Sequence, residues 1–146
     1  MSSKAAEKEI LDRLRTEVWN EGQVDVVDEL FADDFVSHRF SQGEFDGPED
    51  YKRWVRECRE AFPDMHVTFE PLGSGEVSCG VYTVTGTQKG KLQGKYLDIE
   101  PTGKPVEYSG LSIMRVEDGK FAEEWDLDDA RAILSQLGKL HDESGA

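Results

Sequence analysis

The stretch Phe62-Pro63-Asp64-Met65-His66-Val67-Thr68-Phe69-Glu70 marks the point where the chain changes its period. From Met65 onward apolar and polar residues alternate: Met65, Val67 and Phe69 fall on one face, His66, Thr68 and Glu70 on the other. Ahead of Phe62-Pro63-Asp64 the apolar residues recur at helical spacing instead. Helices in front of that point and strands behind it predict an α+β fold.

Working upstream, Asp46-Gly47-Pro48-Glu49-Asp50 predicts a helix start, with proline in the first turn and acids beside the positive end of the dipole. Tyr51, Trp54, Val55, Cys58 and Phe62 form its stripe for burial. A first amphipathic helix is expected over about 4–20 from Ile10, Leu11, Leu14 and Val18, broken by Glu21-Gly22. Val24, Val27, Leu30 and Phe31 predict a second, short helix, and residues 34–38 a brief extended stretch.

Downstream, Gly73-Ser74-Gly75 turns the chain into a Val-, Thr- and Tyr-rich strand over 77–88, giving a hairpin. After Pro101-Thr102-Gly103-Lys104, a long strand over 106–116 pairs through Glu117-Asp118-Gly119 with 120–126. The closing helix takes Asp128 or Asp129 as N-cap, buries Ile133, Leu134 and Leu137, and stops at Gly138. A polar tail follows, expected to fray. With 146 residues and no linker or repeat, a single domain over 1–146 is expected, its ordered core covering about 4–139.

Asp and Glu number 31 against 17 Lys and Arg, a net charge of −14. Such a chain supplies no basic surface to neutralise phosphates, so nucleic acid is excluded as a partner. No stretch approaches the ~20 apolar residues of a membrane span. A soluble, cytoplasmic protein is expected, and the dispersed acids suit a salt-adapted source in which screening removes their repulsion. Cys58 and Cys79 read as unpaired small hydrophobes. His38, His66 and His141 are isolated from cysteine and from one another, which speaks against a metal site.

The ordered segments Trp19-Asn20-Glu21-Gly22, Phe31-Ala32-Asp33-Asp34-Phe35-Val36-Ser37-His38, Phe62-Pro63-Asp64-Met65-His66-Val67, Thr85-Gly86-Thr87, Pro101-Thr102-Gly103-Lys104-Pro105-Val106 and Gly119-Lys120-Phe121-Ala122-Glu123-Glu124-Trp125, followed by Asp129 and Gln136-Leu137-Gly138, resemble the SnoaL-like polyketide cyclases of the NTF2-like superfamily. The resemblance implies a cone of helices packed on a strongly curved antiparallel sheet, with a short C-terminal helix. It implies one deep apolar pocket, a homodimer or higher homo-oligomer formed across the sheet, and no cofactor. Characterised cyclases of the group close a ring by intramolecular aldol condensation, with an aspartate as acid/base. That aspartate maps to Asp129, with Asp126 as second choice. Gln88 departs from the pattern, because relatives commonly carry histidine after the Gly-Thr pair. Glutamine there can still donate a hydrogen bond but cannot exchange a proton.

An aldol cyclisation needs a base, an acid and a surface that folds the substrate, and one carboxyl lifted toward neutrality by burial can serve in turn as both. Asp129 competes for that role with simple helix capping. His38 is expected at the pocket as hydrogen-bonding partner or relay, with a plain surface histidine as the other reading. Tyr51, Tyr82, Gln88 and Trp125 complete the expected substrate-binding set. His66 belongs to the opposite sheet face, and Glu123 is expected to pair with Arg115. The function expected is a cofactor-free cyclase or isomerase-like enzyme acting on a hydrophobic carbonyl compound. A non-catalytic small-molecule-binding domain and an interaction module assembled through the open sheet are the alternatives.

Overall fold

The computed structural model describes residues 4–40, 43–73, 75–93 and 98–139. Ser74, His141 and the polar tail lie outside the described residues. Helix α1 (Lys4–Arg13) runs directly into a π-helix, Leu14–Asn20, in which Glu21 N donates to Thr16 O five residues back at 3.0 Å. Gly22, at φ +74°, ends it. A 3₁₀ turn, Val24–Val26, leads into the single-turn α2 (Val27–Leu30). There follow β1 (Phe31–Arg39), β2 (Gly43–Asp46), α3 (Gly47–Ala61), β3 (His66–Gly73) and β4 (Val77–Thr87). Next come the short β5 (Leu92–Gln93) and β6 (Asp98–Ile99), the long β7 (Pro105–Glu117), β8 (Lys120–Asp128) and α4 (Ala130–Gln136).

Six strands form one curved sheet in the order β2-β1-β8-β7-β4-β3, and β5 and β6 pair separately. The α+β architecture is therefore the expected one, with two corrections. Phe31 opens strand β1 instead of closing the second helix, and the brief extended stretch is a nine-residue strand. That strand pairs parallel with β8, so the sheet is not wholly antiparallel. The inward residues of β1 include Ser37 and Arg39, so its alternation does not read as hydrophobic, and the signal for a strand is weak.

Helix α3 and the π-helical segment cover the sheet's inner face. Phe31, Phe35, Tyr51 and Phe121 meet there with ring centroids 4.5–5.8 Å apart. Each such burial contributes about 2–3 kcal/mol, and the edge-on geometry about 1 kcal/mol more per pair. The π-helix is pinned at its C-terminal end. The Asn20 amide donates to Val67 O at 3.0 Å and accepts from Val67 N at 2.6 Å, and Arg59 Nη1 donates to Trp19 O at 2.6 Å. No helix among the described residues is long and apolar enough to cross a membrane.

Candidate active site

Strand β8 carries Glu124, Asp126 and Asp128 at alternate positions. Which face they take is decided by a bulge: Val116 pairs with Phe121 and Arg115 with Glu123, so Ala122 is an extra residue on β8. A one-residue insertion reverses the sides on which later residues point. Phe121 faces inward, but beyond the bulge Glu124 and Asp126 face inward, and Glu123, Trp125 and Leu127 face outward.

The inward carboxylates border a cavity of about 90 Å³ between the sheet and the helical layer. Its wall is largely apolar, with Leu14, Met65, Val67, Val84 and Met114, and the rings of Trp19, Tyr51, Trp54, Tyr82 and Tyr108. Its polar part is built on Arg39, which is buried (7 % exposed) along with Glu124 (3 %) and Asp126 (5 %). Arg39 Nη1 donates to Glu124 Oε1 at 2.8 Å, and Nη2 lies 3.4 Å from Asp126 Oδ1. Ser37 Oγ donates to the same Glu124 oxygen at 2.6 Å. The guanidinium lies 5.5 Å from the ring centroids of both Phe45 and Trp54, aromatic contacts that help hold a cation away from water.

Tyr82 OH donates to Asp126 Oδ1 at 2.9 Å across the sheet. Gly110 makes the space for it: a Cβ there would sit 2.2 Å from the Tyr82 hydroxyl oxygen. Trp19 Nε1 donates to Tyr51 OH at 2.9 Å, while the Tyr108 hydroxyl makes no hydrogen bond among the described residues.

One buried guanidinium faces two adjacent carboxylates, with Asp128 a third on the cavity wall. Burial pushes the Asp126 carboxyl up to about 7; Arg39 and the Tyr82 hydrogen bond oppose this, and the nearby charges of Glu124 and Asp128 reinforce it. Holding the proton leaves the Arg39–Glu124 pair balanced. Burial also raises Tyr82 and Tyr108 far above the ordinary tyrosine range, so both hydroxyls stay protonated.

The expected site residues separate into two groups. Asp126, Tyr51 and Tyr82 line the cavity. Asp129 is exposed and is not on the cavity wall; its carboxylate accepts from Ala132 N at 3.0 Å and caps α4. His38 and Trp125 lie on the outer sheet face, stacked with centroids 5.5 Å apart, because alternation sends them opposite to Ser37 and Arg39 and to Glu124 and Asp126. His38 Nε2 contacts Glu123 at 2.7 Å and Nδ1 contacts Glu44 at 2.5 Å. Glu123's hydrogen bond raises the His38 pKa against the effect of burial, and Glu44 adds to the rise. Glu123 also pairs with Arg115 at 3.3 Å, as expected. Gln88 is fully buried but serves the loop. Its amide donates to Gly90 O, Ile99 O and Glu100 O and accepts from Thr102 N and Oγ1. Among the described residues no group of three or more His, Cys, Asp or Glu is placed to hold a metal ion.

Sequence reasoning missed Arg39, Glu124, Ser37 and Tyr108. The signal that was available is the Glu124-x-Asp126-x-Asp128 alternation, an acidic face on a strand whose other face carries Trp125 and Leu127.

No curated protein matches the chain. Among solved structures, TsrD from Streptomyces laurentii superposes with a TM-score of 0.83 at 22 % identity, over 96 % of this chain and 100 % of that one. IdmH from Streptomyces antibioticus, provisionally assigned as a polyketide cyclase, gives 0.76 at 27 % identity, over 90 % and 98 %. AclR from Streptomyces galilaeus, provisionally assigned as a hydroxylase, gives 0.80 at 26 % identity, over 96 % and 89 %. The sequence pattern described as SnoaL-like polyketide cyclase matches residues 9–137. With that pattern spanning nearly the whole chain, and the fold agreeing, the protein belongs to the SnoaL-like polyketide cyclase family.

Proposed function

We propose that the protein is a cofactor-independent acid/base enzyme of the cyclase or isomerase type, acting on a hydrophobic carbonyl compound with Asp126 as the proton-transfer group. The observation that carries this reading is a carboxyl buried in an apolar, aromatic-walled cavity and poised near neutrality, held by Tyr82 and Arg39. Ionised Asp126 takes a proton from the carbon beside a carbonyl. The enolate carbon attacks a second carbonyl of the same molecule, forming the new C–C bond, and Asp126 returns the proton to the resulting alkoxide. The Tyr108 hydroxyl, neutral and without a partner among the described residues, is suited to donate to the enolate oxygen. Proton transfer from a positioned carboxylate contributes roughly 10²–10⁴-fold in rate. Asp129, engaged in capping, has no part in this scheme.

Deuterium uptake into 2-heptanone in D₂O, followed by ¹H NMR, tests it. The expected result is an acceleration that rises with ionisation of a group near pH 7, falls at least ~100-fold in Asp126→Asn, and persists in Asp129→Ala. Binding without exchange would favour the non-catalytic binding domain instead.

A homodimer formed across the outer sheet face is part of the same proposal. Leu111 (48 % exposed), Ile113 (40 %) and Leu127 (51 %) stand together there, an apolar surface suited to a second copy. A monomer by sedimentation at working concentration, unchanged by Leu111→Lys, would argue against it. The net charge of −14 supports a cytoplasmic setting in a salt-adapted cell. Stability that does not respond to added salt would remove that support.

A further inference from the structure

Two cations line the cavity, and among the described residues Arg39 alone has a close carboxylate partner. Arg39 is held between Glu124 and Asp126 at the floor. Arg15, on the π-helix, also lines the cavity, yet its one ion pair among the described residues is a 3.9 Å approach to Asp12, beyond hydrogen-bonding distance. Asp12 is itself bonded to Lys8 at 2.7 Å. Arg15 thus lines the cavity without a close carboxylate partner among the described residues.

Its position is built by the backbone. The π-helix, with its five-residue hydrogen bond, widens the turn, so that Leu11, Arg15 and Trp19, each four residues on, all stay on the cavity wall. Asn20 and Trp19 are fixed to β3 and to Arg59, which anchors the segment from its far end. Arg15 is 33 % exposed and Leu11 is partly exposed, whereas Asp126 is buried, so Arg15 stands at the rim and Asp126 at the floor. The cavity is thus cationic at its entrance and acidic at its end.

We propose that Arg15 is a specificity-determining residue that binds an anionic group of the substrate, and that the substrate class is enolisable keto acids. The carboxylate sits on the Arg15 fork at the rim and the carbonyl reaches Asp126. The placement of the carbonyl rests on the acid/base reading above; the anion site does not. A guanidinium presents paired N–H donors that match a carboxylate edge-on, which an ammonium does not. The cavity volume of about 90 Å³ favours slender acyclic chains over fused rings. It is smaller than the ~150 Å³ cavity that accepts benzene in an engineered core.

The test uses 4-oxopentanoate, 5-oxohexanoate and 6-oxoheptanoate, each beside its methyl ester, with binding followed by protein-observed NMR and exchange by deuterium uptake. At least one acid should bind ~10- to 100-fold tighter than its ester, as expected for a charge-assisted hydrogen-bonded contact. The preference should vanish in Arg15→Met, which keeps the apolar stem, survive in part in Arg15→Lys, and persist in Asp126→Asn. Absence of any acid-over-ester preference, including failure of all six compounds to bind, overturns the proposal; so does a preference that survives Arg15→Met. An Arg15-dependent preference without exchange upholds the anion site and refutes the acid/base reading, whereas equal Asp126-dependent exchange of acids and esters does the reverse.

Discussion

Replacing Asp126 by asparagine removes a carboxyl that burial lifts from 3.8 to about 7, and stability measured against pH reports that shift without any substrate. The sign follows from which state holds the proton. Below about pH 4 the group is protonated in both states. As pH rises the unfolded chain ionises first while the folded one keeps its proton, so the native state is progressively disfavoured until the folded group also ionises near pH 7. The whole shift corresponds to about 4 kcal/mol, of which roughly 2–3 kcal/mol falls between pH 5 and pH 8. Urea unfolding of wild type and Asp126→Asn at those two pH values isolates the effect, because other titrating groups cancel in the difference. Wild type should lose that amount relative to the variant on going to pH 8. A difference that stays flat within ~0.5 kcal/mol, or a wild type that gains on the variant as pH rises, would refute the reasoning: Asp126 would then be an ordinary carboxylate satisfied by Arg39.

Asp129→Ala should cost about 1 kcal/mol through the lost α4 cap, visible as a lower urea midpoint, with deuterium exchange at the cavity unchanged. Gly110→Ala should drive the Tyr82 hydroxyl off Asp126, since the new Cβ would lie 2.2 Å from it; the Tyr82 hydroxyl proton should lose its exchange protection in NMR spectra. His38, raised by Glu123 and Glu44, contributes stability that is complete below about pH 6.5 and is lost as pH rises through its higher folded value. His38→Gln should abolish that part of the decline, read as the wild-type-minus-variant difference in urea midpoint from pH 6 to 9.

How far the sequence could be read differs between the fold and the site. The change of period at Phe62-Pro63-Asp64, the start of α3 at Gly47-Pro48 and the Glu117-Asp118-Gly119 turn are local signals, and each lies where it was expected. β1 was legible only as a fragment, because its inward face carries Ser37 and Arg39, whose burial depends on partners from β8. The site turned on parity. Counting alternation from Phe121 puts Glu123 and Trp125 inside, but the extra residue at Ala122 reverses the count, and a bulge of this kind leaves no mark in a single sequence. That one displacement brings Asp126 inside and sends Trp125 to the outer face beside His38. Tyr51 and Tyr82 were legible because a helix stripe and an undisturbed strand both kept their period.

The most direct test of the central claim is a ¹³C NMR titration of the Asp126 carboxyl in protein labelled at aspartate, assigned by its absence in Asp126→Asn. A midpoint near 7, moving further up when Arg39 is replaced by glutamine, is the predicted result. A midpoint near 4, or one indifferent to Arg39, would contradict a cavity built to hold a proton at neutral pH.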